Sequence, residues 1–464
     1  MKRTLAVLML CTCLPAGVIS GNPTEDTEHL WSQWRGPAAT GVAPHGDPPS
    51  KWNEELNIRW KTRIPGKGHA TPIVWGKYIY VQTAVETDQR PSGITEQATA
   101  EPPAPERREG PPGRRREGRP GGPPEPQRVP TNIHEFRVLA LDRDTGAVAW
   151  ERTLCQGVPH EAGHRDASQA SNSAITDGEH LYAYYGSRGL YCLDMQGELK
   201  WQKDFGEMQT RRGFGEGSSP ALYGDTIVIN WDHEGDSFIV ALDKNTGKEL
   251  WKVARDEITS WATPLVVEVD GQPQVITSAA RFIQSYELAT GKSLWRCSGM
   301  TQNVIPSPVY ADGVLYAMSG FRGSAVLAIK LAGARGDITD TEAVLWKHDK
   351  GTPYVPSPLL YDNALYFLSV NKGIITCLDA RNGQEHYGRE RLPEISEVYA
   401  SPVGAAGRVY VVGRDGTTVV LKHGPKFEVL ANNKLDDTFD ASPVIVGKEL
   451  YLRGHEYLYC IASD

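Results

Sequence analysis

The sequence lacks most of the features that mark helical, membrane-spanning or haem-binding proteins. Long runs of the strong helix formers alanine, leucine, glutamate and lysine are missing, which disfavours a helical bundle. After the first 20 residues, no apolar segment approaches the length that spans a bilayer. No CxxCH motif occurs, which disfavours covalent haem attachment. The net charge of −8 disfavours a general affinity for nucleic acid.

Glycine, proline and aromatic residues are abundant instead. The chain has 47 glycines, 32 prolines, 19 tyrosines and 12 tryptophans among 464 residues, which supplies many turn formers and strand formers. This composition predicts an all-β protein. Three of the seven cysteines, Cys192, Cys377 and Cys460, occupy one position of the repeat described below, where other copies have alanine. We therefore expect these cysteines to be small buried residues.

The first 20 residues have the pattern of a signal peptide. A basic start is followed by an apolar run over residues 5–14 and a Val-Ile-Ser sequence that suits cleavage. Lipidation at Cys11 or Cys13 is the alternative, although neither cysteine follows the usual small residues. We expect an exported protein in the periplasm or outside the cell, without a transmembrane segment. Residues 21–55 are interpreted as an N-terminal extension.

One unit recurs along the chain and predicts the architecture. It reads ALDRDTGAVAW, ALDKNTGKELW or YELATGKSLW, and each copy is preceded by a Ser-Pro or Thr-Pro pair or, once, by Ser-Ala. From Pro220 onward these pairs are 41 to 50 residues apart, which is the period of a propeller blade. Apolar and polar residues alternate within each unit, as in strands. The repeat predicts an eight-bladed β-propeller of four-stranded antiparallel blades over residues 56–464.

Each unit ends in a large aromatic residue, which we expect in the outer strand, docked against the next blade. These structural docking residues are Trp60, Trp150, Trp201, Trp251, Trp295, Trp346 and Tyr387. The last blade ends at YLYCIASD without an outer strand, and NIRWKTRI near the N-terminus offers one that contains Trp60. We expect this N-terminal strand to close the ring, because closure removes exposed sheet edges.

Residues 88–132 interrupt blade 1 between its second and third strands. Proline, glycine, arginine and glutamate dominate this segment, which has almost nothing to bury. We predict a disordered insertion. It is interpreted either as a cover for the channel mouth or as a surface insertion without function.

The repeated ALDxxTGxxxW resembles the PQQ-like β-propeller repeat family, which includes the quinoprotein alcohol dehydrogenases and the outer-membrane assembly lipoprotein BamB. The resemblance covers residues 56–464 apart from the insertion, and it implies the fold. It also implies that quinoprotein members hold pyrroloquinoline quinone (PQQ) with Ca²⁺ in the central funnel, with a catalytic aspartate and, in many, a disulfide between adjacent cysteines. No adjacent cysteine pair occurs here, and the calcium ligands and the aspartate match no particular positions. No cofactor is therefore assigned, and PQQ with Ca²⁺ remains the alternative.

The stretch HEAGH, from His160 to His164, matches the HExxH signature of zinc metalloproteases. That signature requires a helix, which places both histidines on one face. Pro159 and Gly163 disfavour a helix here, and the stretch falls between the outer strand of blade 1 and the inner strand of blade 2. We predict an inter-blade loop and no zinc protease.

One face of the propeller carries the candidate ligand-binding residues. We call it the channel face; it bears the leading loops, which precede the first strand of each blade, and the turns that join the second and third strands. The candidates are His69, Arg188, Glu216, Trp231, His233, Trp261, Arg281, Arg322, Lys372, Tyr399, Arg414 and Asp440. The basic members recur at equivalent turns, which predicts a positive rim that attracts an anionic group. Ordinary solvated turn charges are the alternative.

A second group is rich in oxygen ligands, although no set of residues has the spacing of a recognised metal motif and no metal is assigned. Asp232, His233, Glu234 and Asp236 follow one strand of blade 3, and Glu216 precedes that blade. They are interpreted either as a cation site or as solvated turn residues.

The sequence favours an exported, non-catalytic propeller that binds an unknown protein or an anionic small molecule as a monomer. The alternative is a PQQ-dependent oxidoreductase with a divergent cofactor pocket. No enzyme signature decides between them.

Overall fold

The computed structural model describes residues 29–91 and 129–463, which form eight β-sheets arranged as the blades of a propeller. The predicted fold class is confirmed. Two short 3-10 helices, Gly186–Arg188 and Arg211–Gly213, lie in loops. Within these residues, no helix is long and apolar enough to cross a membrane. The predicted signal peptide and residues 92–128 of the predicted insertion lie outside the described residues.

Each blade is an antiparallel sheet whose strands run in chain order from the channel outward. Blade 1 comprises β2 (Ile73–Trp75), β3 (Tyr78–Glu86), β4 (His134–Asp142) and β5 (Val148–Gly157), and blade 2 comprises β6 (Ile175–Thr176), β7 (His180–Tyr184), β8 (Leu190–Asp194) and β9 (Leu199–Lys203). Blade 3 comprises β10 (Ala221–Tyr223), β11 (Thr226–Trp231), β12 (Phe238–Asp243) and β13 (Glu249–Ala254), and blade 4 comprises β14 (Leu265–Val269), β15 (Gln272–Ser278), β16 (Ile283–Glu287) and β17 (Ser293–Cys297). Blade 5 comprises β18 (Val309–Ala311), β19 (Val314–Ser319), β20 (Ala325–Lys330) and β22 (Val344–His348), and blade 6 comprises β23 (Leu359–Tyr361), β24 (Ala364–Leu368), β25 (Ile374–Asp379) and β26 (Glu385–Arg391). Blade 7 comprises β27 (Val403–Ala405), β28 (Arg408–Val412), β29 (Thr417–Lys422) and β30 (Val429–Lys434), and blade 8 comprises β31 (Val444–Val446), β32 (Glu449–Arg453) and β33 (Tyr457–Ile461) together with β1 (Ile58–Arg63). Blade 4 gains a fifth, parallel strand, β21 (Gly336–Asp337).

The burial pattern of the strands follows from their place in the blade. The middle strands β11 and β12 of blade 3 are buried along almost their whole length, because both of their faces pack against neighbouring blades. The outer strand β13 alternates exposed and buried residues and turns Trp251 inward. Cys192, Cys377 and Cys460 are fully buried in middle strands, as expected.

The two ends of the chain meet in blade 8. β1 pairs with β33 in antiparallel register, with Trp60 opposite Cys460 and Ile58 opposite Ile461. The Trp60 indole donates a hydrogen bond to the Arg143 carbonyl of blade 1 at 2.8 Å. The predicted ring closure by an N-terminal strand is confirmed.

The repeated TG turn and the repeated tryptophan form one inter-blade joint. Trp201 of blade 2 donates its indole N–H to the Lys244 carbonyl in the turn of blade 3, at 2.9 Å. Gly247 of that turn has φ +67°, and a Cβ there would lie 2.6 Å from the Trp201 ring. The indoles of Trp60, Trp150, Trp251 and Trp346 donate to the next blade in the same way. The repeat therefore encodes blade packing.

Two docking residues depart from this pattern. Trp295 of blade 4 docks against blade 5, where a longer segment, residues 331–343, replaces the TG turn. The buried Trp295 side chain packs against Leu331 and Ile338 of that segment. Its indole nitrogen has no partner among the described residues. The Tyr387 hydroxyl is likewise buried without one. These residues dock through apolar contact alone.

The predicted N-terminal extension is integrated into the face opposite the channel face. Trp31 exchanges backbone hydrogen bonds with Val74 of blade 1, and Ala43 donates to Gly404 of blade 7 at 2.9 Å. Farther along, the backbone of Trp52 donates to the Asn433 side chain. The segment thus fastens several blades together across the ring.

Removing residues 92–128 is expected to change the free energy of unfolding by less than about 1 kcal/mol. The strands on either side of the segment, β3 and β4, already pair with each other, and the entropic cost of closing a loop varies slowly with its length. β3 and β4 are in register up to Glu86 opposite His134, and Thr87 donates to the Ile133 carbonyl beyond them. Urea denaturation of a variant that joins residues 91 and 129 through a short Gly-Ser linker would measure the change. A loss of several kcal/mol would show that the segment contributes to stability.

Candidate functional site

A cavity of about 220 Å³ lies on the propeller axis and opens toward the channel face. We call it the channel pocket. Its wall begins with a hydroxyl ring made by the serine or threonine that precedes the first strand of each blade. In seven links, the backbone N–H of one such residue donates to the hydroxyl of the next, at 2.9–3.0 Å: Thr71 to Ser173, Ser173 to Ser219, Ser219 to Thr263, Thr263 to Ser307, Ser307 to Ser357, Ser357 to Ser401 and Ser401 to Ser442. The ring satisfies the buried backbone at the axis.

The N-terminal segment closes the far end of the pocket. Trp34 lines the pocket and donates its indole N–H to Ser307 of the hydroxyl ring at 3.1 Å. Arg35 is buried beside it and donates to the Pro358 carbonyl at 2.7 Å. Burial lowers the pKa of Arg35 to about 9. Trp34 is thus the part of the N-terminal segment that forms the floor of the pocket.

One wall carries a carboxyl group that is removed from bulk water. Glu216, in the leading loop of blade 3, accepts hydrogen bonds from the backbone N–H of Ser187 at 2.7 Å and from its hydroxyl at 2.5 Å. Gly186 has φ +55°, and a Cβ there would lie 1.4 Å from the Glu216 carboxylate, so only glycine fits. Burial raises the pKa of Glu216 to about 6, against the effect of the two Ser187 donors.

Another part of the wall is an ion-pair network around Arg414. Its guanidinium lies 2.8 Å from Asp166 and 3.0 Å from Asp440, and it covers the Tyr399 ring at 4.7 Å. The Tyr399 hydroxyl donates to Asp166 at 3.3 Å. Burial opposes ionisation of Asp166, yet the hydrogen bond and charge of Arg414 lower its pKa. The two carboxylates therefore share one guanidinium charge, which leaves this wall net acidic.

Two histidines approach the same aspartate. The Nε2 atoms of His455 and His69 lie 2.8 Å and 3.5 Å from the Asp440 Oδ2 atom. The two imidazole rings are stacked, with centroids 5.3 Å apart. Burial lowers the pKa of His69 to about 3, so this imidazole is neutral. His69 and Asp440 line the channel pocket.

The structure brings together five of the predicted ligand-binding residues. His69, Glu216, Trp261, Tyr399 and Asp440 all line the channel pocket. Two other predicted residues do not line this pocket. Trp231 is 2 % exposed and stacks on Phe238 between blades, and the buried His233 accepts a hydrogen bond from the Gln209 backbone. Both hold the propeller together instead of facing a ligand.

The five basic turn residues do not form one positive rim. Arg414 faces carboxylates, Arg281 pairs with the exposed Asp256 at 2.5 Å, and Arg188 donates to the Val158 carbonyl at 2.7 Å. Arg322 covers the Phe321 ring, and Lys372 is exposed. None of the five lines the channel pocket as the described residues form it. Acidic residues compensate the charge of Arg281 and Arg414.

The predicted oxygen-rich cation site is also not formed, because its members bind different partners. Asp232 accepts two hydrogen bonds from Arg255, at 2.7 and 3.1 Å. Glu234 accepts from the Thr259 hydroxyl at 2.8 Å, and Glu216 binds Ser187. The acids therefore serve as structural acceptors.

The HEAGH stretch lies in a loop between blades 1 and 2, without a helix. His160 contacts the Met208 carbonyl at 2.7 Å, and Glu161 accepts from the Thr210 backbone at 2.7 Å. His164 instead packs its ring edge to face against Phe214 at the channel pocket. The two histidines have separate environments, so the stretch has no metalloprotease geometry.

The sequence analysis missed several residues of the site, among them Trp34, Asp166, Phe214, Tyr354 and His455. Trp34 lies ahead of the first repeat, where no periodic pattern marks it. Asp166 lies in an irregular loop outside the repeat. His455 occupies the turn between the second and third strands of blade 8, and alignment of that turn with the other blades would have found it.

Comparison with known proteins now places the chain. A family profile described as "Outer membrane protein assembly factor BamB", of the PQQ-like repeat type, matches residues 134–389 and 235–463. The chain belongs to the PQQ-like β-propeller family. BamB of Francisella salina is 27% identical over 178 residues, and BamB of Francisella tularensis is 25% identical over 178 residues. Each match covers 34% of this chain but only 32% and 37% of those relatives.

Solved structures of this propeller family show the same fold. BamB from Moraxella catarrhalis has a TM-score of 0.50 at 16% identity, covering 70% of this chain and 90% of that chain. A europium-containing methanol dehydrogenase has a TM-score of 0.58 at 12% identity, covering 92% and 89%. At these identities the likeness concerns the fold alone.

The residues of the channel pocket do not fit PQQ with Ca²⁺. Calcium takes six to eight oxygen ligands, whereas Asp166 and Asp440 are paired with Arg414 and Glu216 is bonded to Ser187. The cavity of about 220 Å³ is also smaller than the roughly 300–1,000 Å³ typical of small-molecule and cofactor sites. No reaction step is therefore derived for this cofactor.

Proposed function

We propose that this PQQ-like propeller is an exported binding and scaffold protein that receives a side chain of a protein partner, or a small ligand, in the channel pocket. The closed floor carries this proposal: Trp34 seals one end of the axis, and the pocket opens toward the leading loops. A blind pocket at the centre of a rigid ring suits recognition of a projecting group.

The chemistry of the walls favours an occupant with an apolar body and a neutral or cationic end. Trp261, Phe214 and Tyr354 supply aromatic surface. Glu216 supplies an acid that is bonded to Ser187 and lies near His160, whereas Arg414 is already shared by two carboxylates. An anionic occupant would lie beside three carboxyl groups, so the structure does not favour the anionic ligand predicted from the sequence.

Export and a role in assembly are parts of the same proposal. The basic and apolar start of the chain supports export to the periplasm or beyond the cell. The curated relatives are named as factors of outer membrane protein assembly, which supports a protein partner.

Site-specific photocrosslinking in the cells that produce the protein tests the proposal. A photoreactive phenylalanine analogue at Phe214 is expected to give a discrete crosslinked product, because Phe214 lines the pocket. The matched control is the same analogue at Leu250, which is 51% exposed on the outer strand of the same blade. The product should be lost in a Trp261→Ala background. Equal products at both positions would contradict use of the pocket.

The alternative of a PQQ-dependent oxidoreductase is not favoured by the pocket residues, and the likeness to methanol dehydrogenase concerns the fold alone. Addition of PQQ and Ca²⁺ to the purified protein separates the two functions. The binding function predicts neither a new absorption band nor a raised melting temperature, whereas a bound cofactor would produce both.

A further inference from the structure

We propose that His69, His455 and Asp440 bind one divalent transition-metal ion of the zinc type at the edge of the channel pocket. We call these three residues the histidine–aspartate trio. The inference is independent of the proposed binding function.

The trio is assembled by the closure of the ring. His69 lies in the leading loop of blade 1, between β1 and β2. Asp440 lies in the leading loop of blade 8, and His455 lies in the turn between β32 and β33. Since β1 joins blade 8, three segments that are far apart in sequence converge at one point, and their potential ligand atoms lie within 4.8 Å of one another.

The distances fit a shared ion. The two histidine Nε2 atoms lie 2.8 Å and 3.5 Å from Asp440 Oδ2. Two ligands bound to one zinc ion at about 2.0–2.1 Å are separated by roughly 2.9–3.4 Å, depending on whether the geometry is octahedral or tetrahedral. The ligand atoms of the two histidines lie within 4.8 Å of each other, so all three atoms could bind one ion once the stacked rings turn to aim their lone pairs at the same point.

Without an ion, the hydrogen bonds within the trio leave one buried nitrogen of His69 without a partner among the described residues. The His69 side chain is only 9% exposed, and its Nε2 atom has no hydrogen-bond partner among the described residues. A buried polar atom without a partner is costly. Its approach to Asp440 and to the facing His455 ring indicates that the missing partner belongs between these residues.

The surroundings are those of a metal site with open coordination positions. Arg414 contacts both oxygens of Asp440, with its Nε atom 3.0 Å from Oδ1 and its Nη2 atom 3.5 Å from Oδ2, and so holds the carboxylate in place beside the two histidines. His69 and Asp440 line the pocket, which leaves room for water or a ligand group on the ion. Two imidazoles and one carboxylate favour zinc or a similar ion over calcium and magnesium, which prefer oxygen ligands.

Metal titration of the untagged, chelator-treated protein tests the assignment. Calorimetry with Zn²⁺ is expected to give one site per chain, and Co²⁺ is expected to give visible ligand-field absorption. The His455→Gln variant should weaken Zn²⁺ binding by more than about tenfold, because even the loss of a group that only orients a ligand costs roughly 10–100-fold. Ca²⁺ should bind the wild-type protein no more tightly than it binds the His455→Gln variant.

The matched control is His423→Gln, which removes a histidine 3.7 Å from Asp362 in another part of the ring and should leave Zn²⁺ binding unchanged. Melting curves without metal establish that each variant is folded. Absent Zn²⁺ binding, or equal binding by wild type and folded His455→Gln, would overturn the assignment. Photocrosslinking at Phe214 in the His455→Gln variant keeps the two proposals distinguishable, because a persistent crosslink with lost metal binding separates them.

Discussion

Removing residues 457–464 is expected to abolish cooperative folding of the whole propeller. The deletion removes β33, which pairs with β32 on one side and with β1 on the other. Leu458, Tyr459, Cys460 and Ile461 are all fully buried. Burial of each large apolar side chain contributes about 1.5–3 kcal/mol, so their combined loss is comparable with the roughly 5–15 kcal/mol that stabilises a typical domain.

The effect should not remain within blade 8. Without β33, the β1 strand loses its partner, and Trp60 loses the framework that holds it against the turn of blade 1. The turn that carries His455 also loses the strand that follows it. Circular dichroism and differential scanning calorimetry would measure the result. Truncation after Ala462 is the control, because it leaves β33 intact; a cooperative transition near the wild-type temperature in the longer deletion would refute this account.

The fold was predictable because each joint between blades is encoded locally and repeated. A turn such as that of Gly247 and a tryptophan such as Trp201 lie about one blade apart in sequence, and their contact recurs around the ring. Ring closure followed from counting strands. The repeat could not show that Trp295 docks without a hydrogen bond, because its receiving segment departs from the common pattern.

The site was only partly predictable, because its geometry depends on side-chain direction and on contacts between distant segments. Trp231 ends a strand at the channel face, yet its side chain points between blades and not into the channel. Trp34 precedes every repeat and meets Ser307 across 273 residues of sequence. His69 and Asp440 were predictable because leading loops converge on the axis, whereas His455 could be predicted only from the equivalence of its turn with those of the other blades.

The buried pair of Asp232 and Arg255 is the site of the second large expected effect. Both side chains are 0% exposed, and Asp232 also accepts hydrogen bonds from Ser260 at 2.7 Å and Asn230 at 3.0 Å. Arg255 donates its remaining Nη1 group to the Tyr286 hydroxyl at 2.6 Å. The network joins blade 3 to blade 4, so the aspartate that the sequence suggested as a cation ligand instead holds an internal guanidinium.

Arg255→Met is expected to lower the free energy of unfolding by about 3–5 kcal/mol, because it leaves the Asp232 carboxylate buried without its counter-ion. The double variant Asp232→Asn/Arg255→Met should recover part of this loss, since it removes the unpaired charge while the asparagine oxygen still accepts a hydrogen bond. Urea denaturation of both single variants and the double variant gives the coupling energy.

An exposed ion pair nearby provides the control. Arg281 and Asp256 are 48% and 85% exposed, so Arg281→Met should cost no more than about 1 kcal/mol. The contrast between the two arginines isolates the effect of burial from that of charge pairing. If the losses at Arg255 and Asp232 were simply additive in the double variant, the pair would not act as a unit, and its role in joining blades 3 and 4 would have to be assigned to the surrounding apolar contacts.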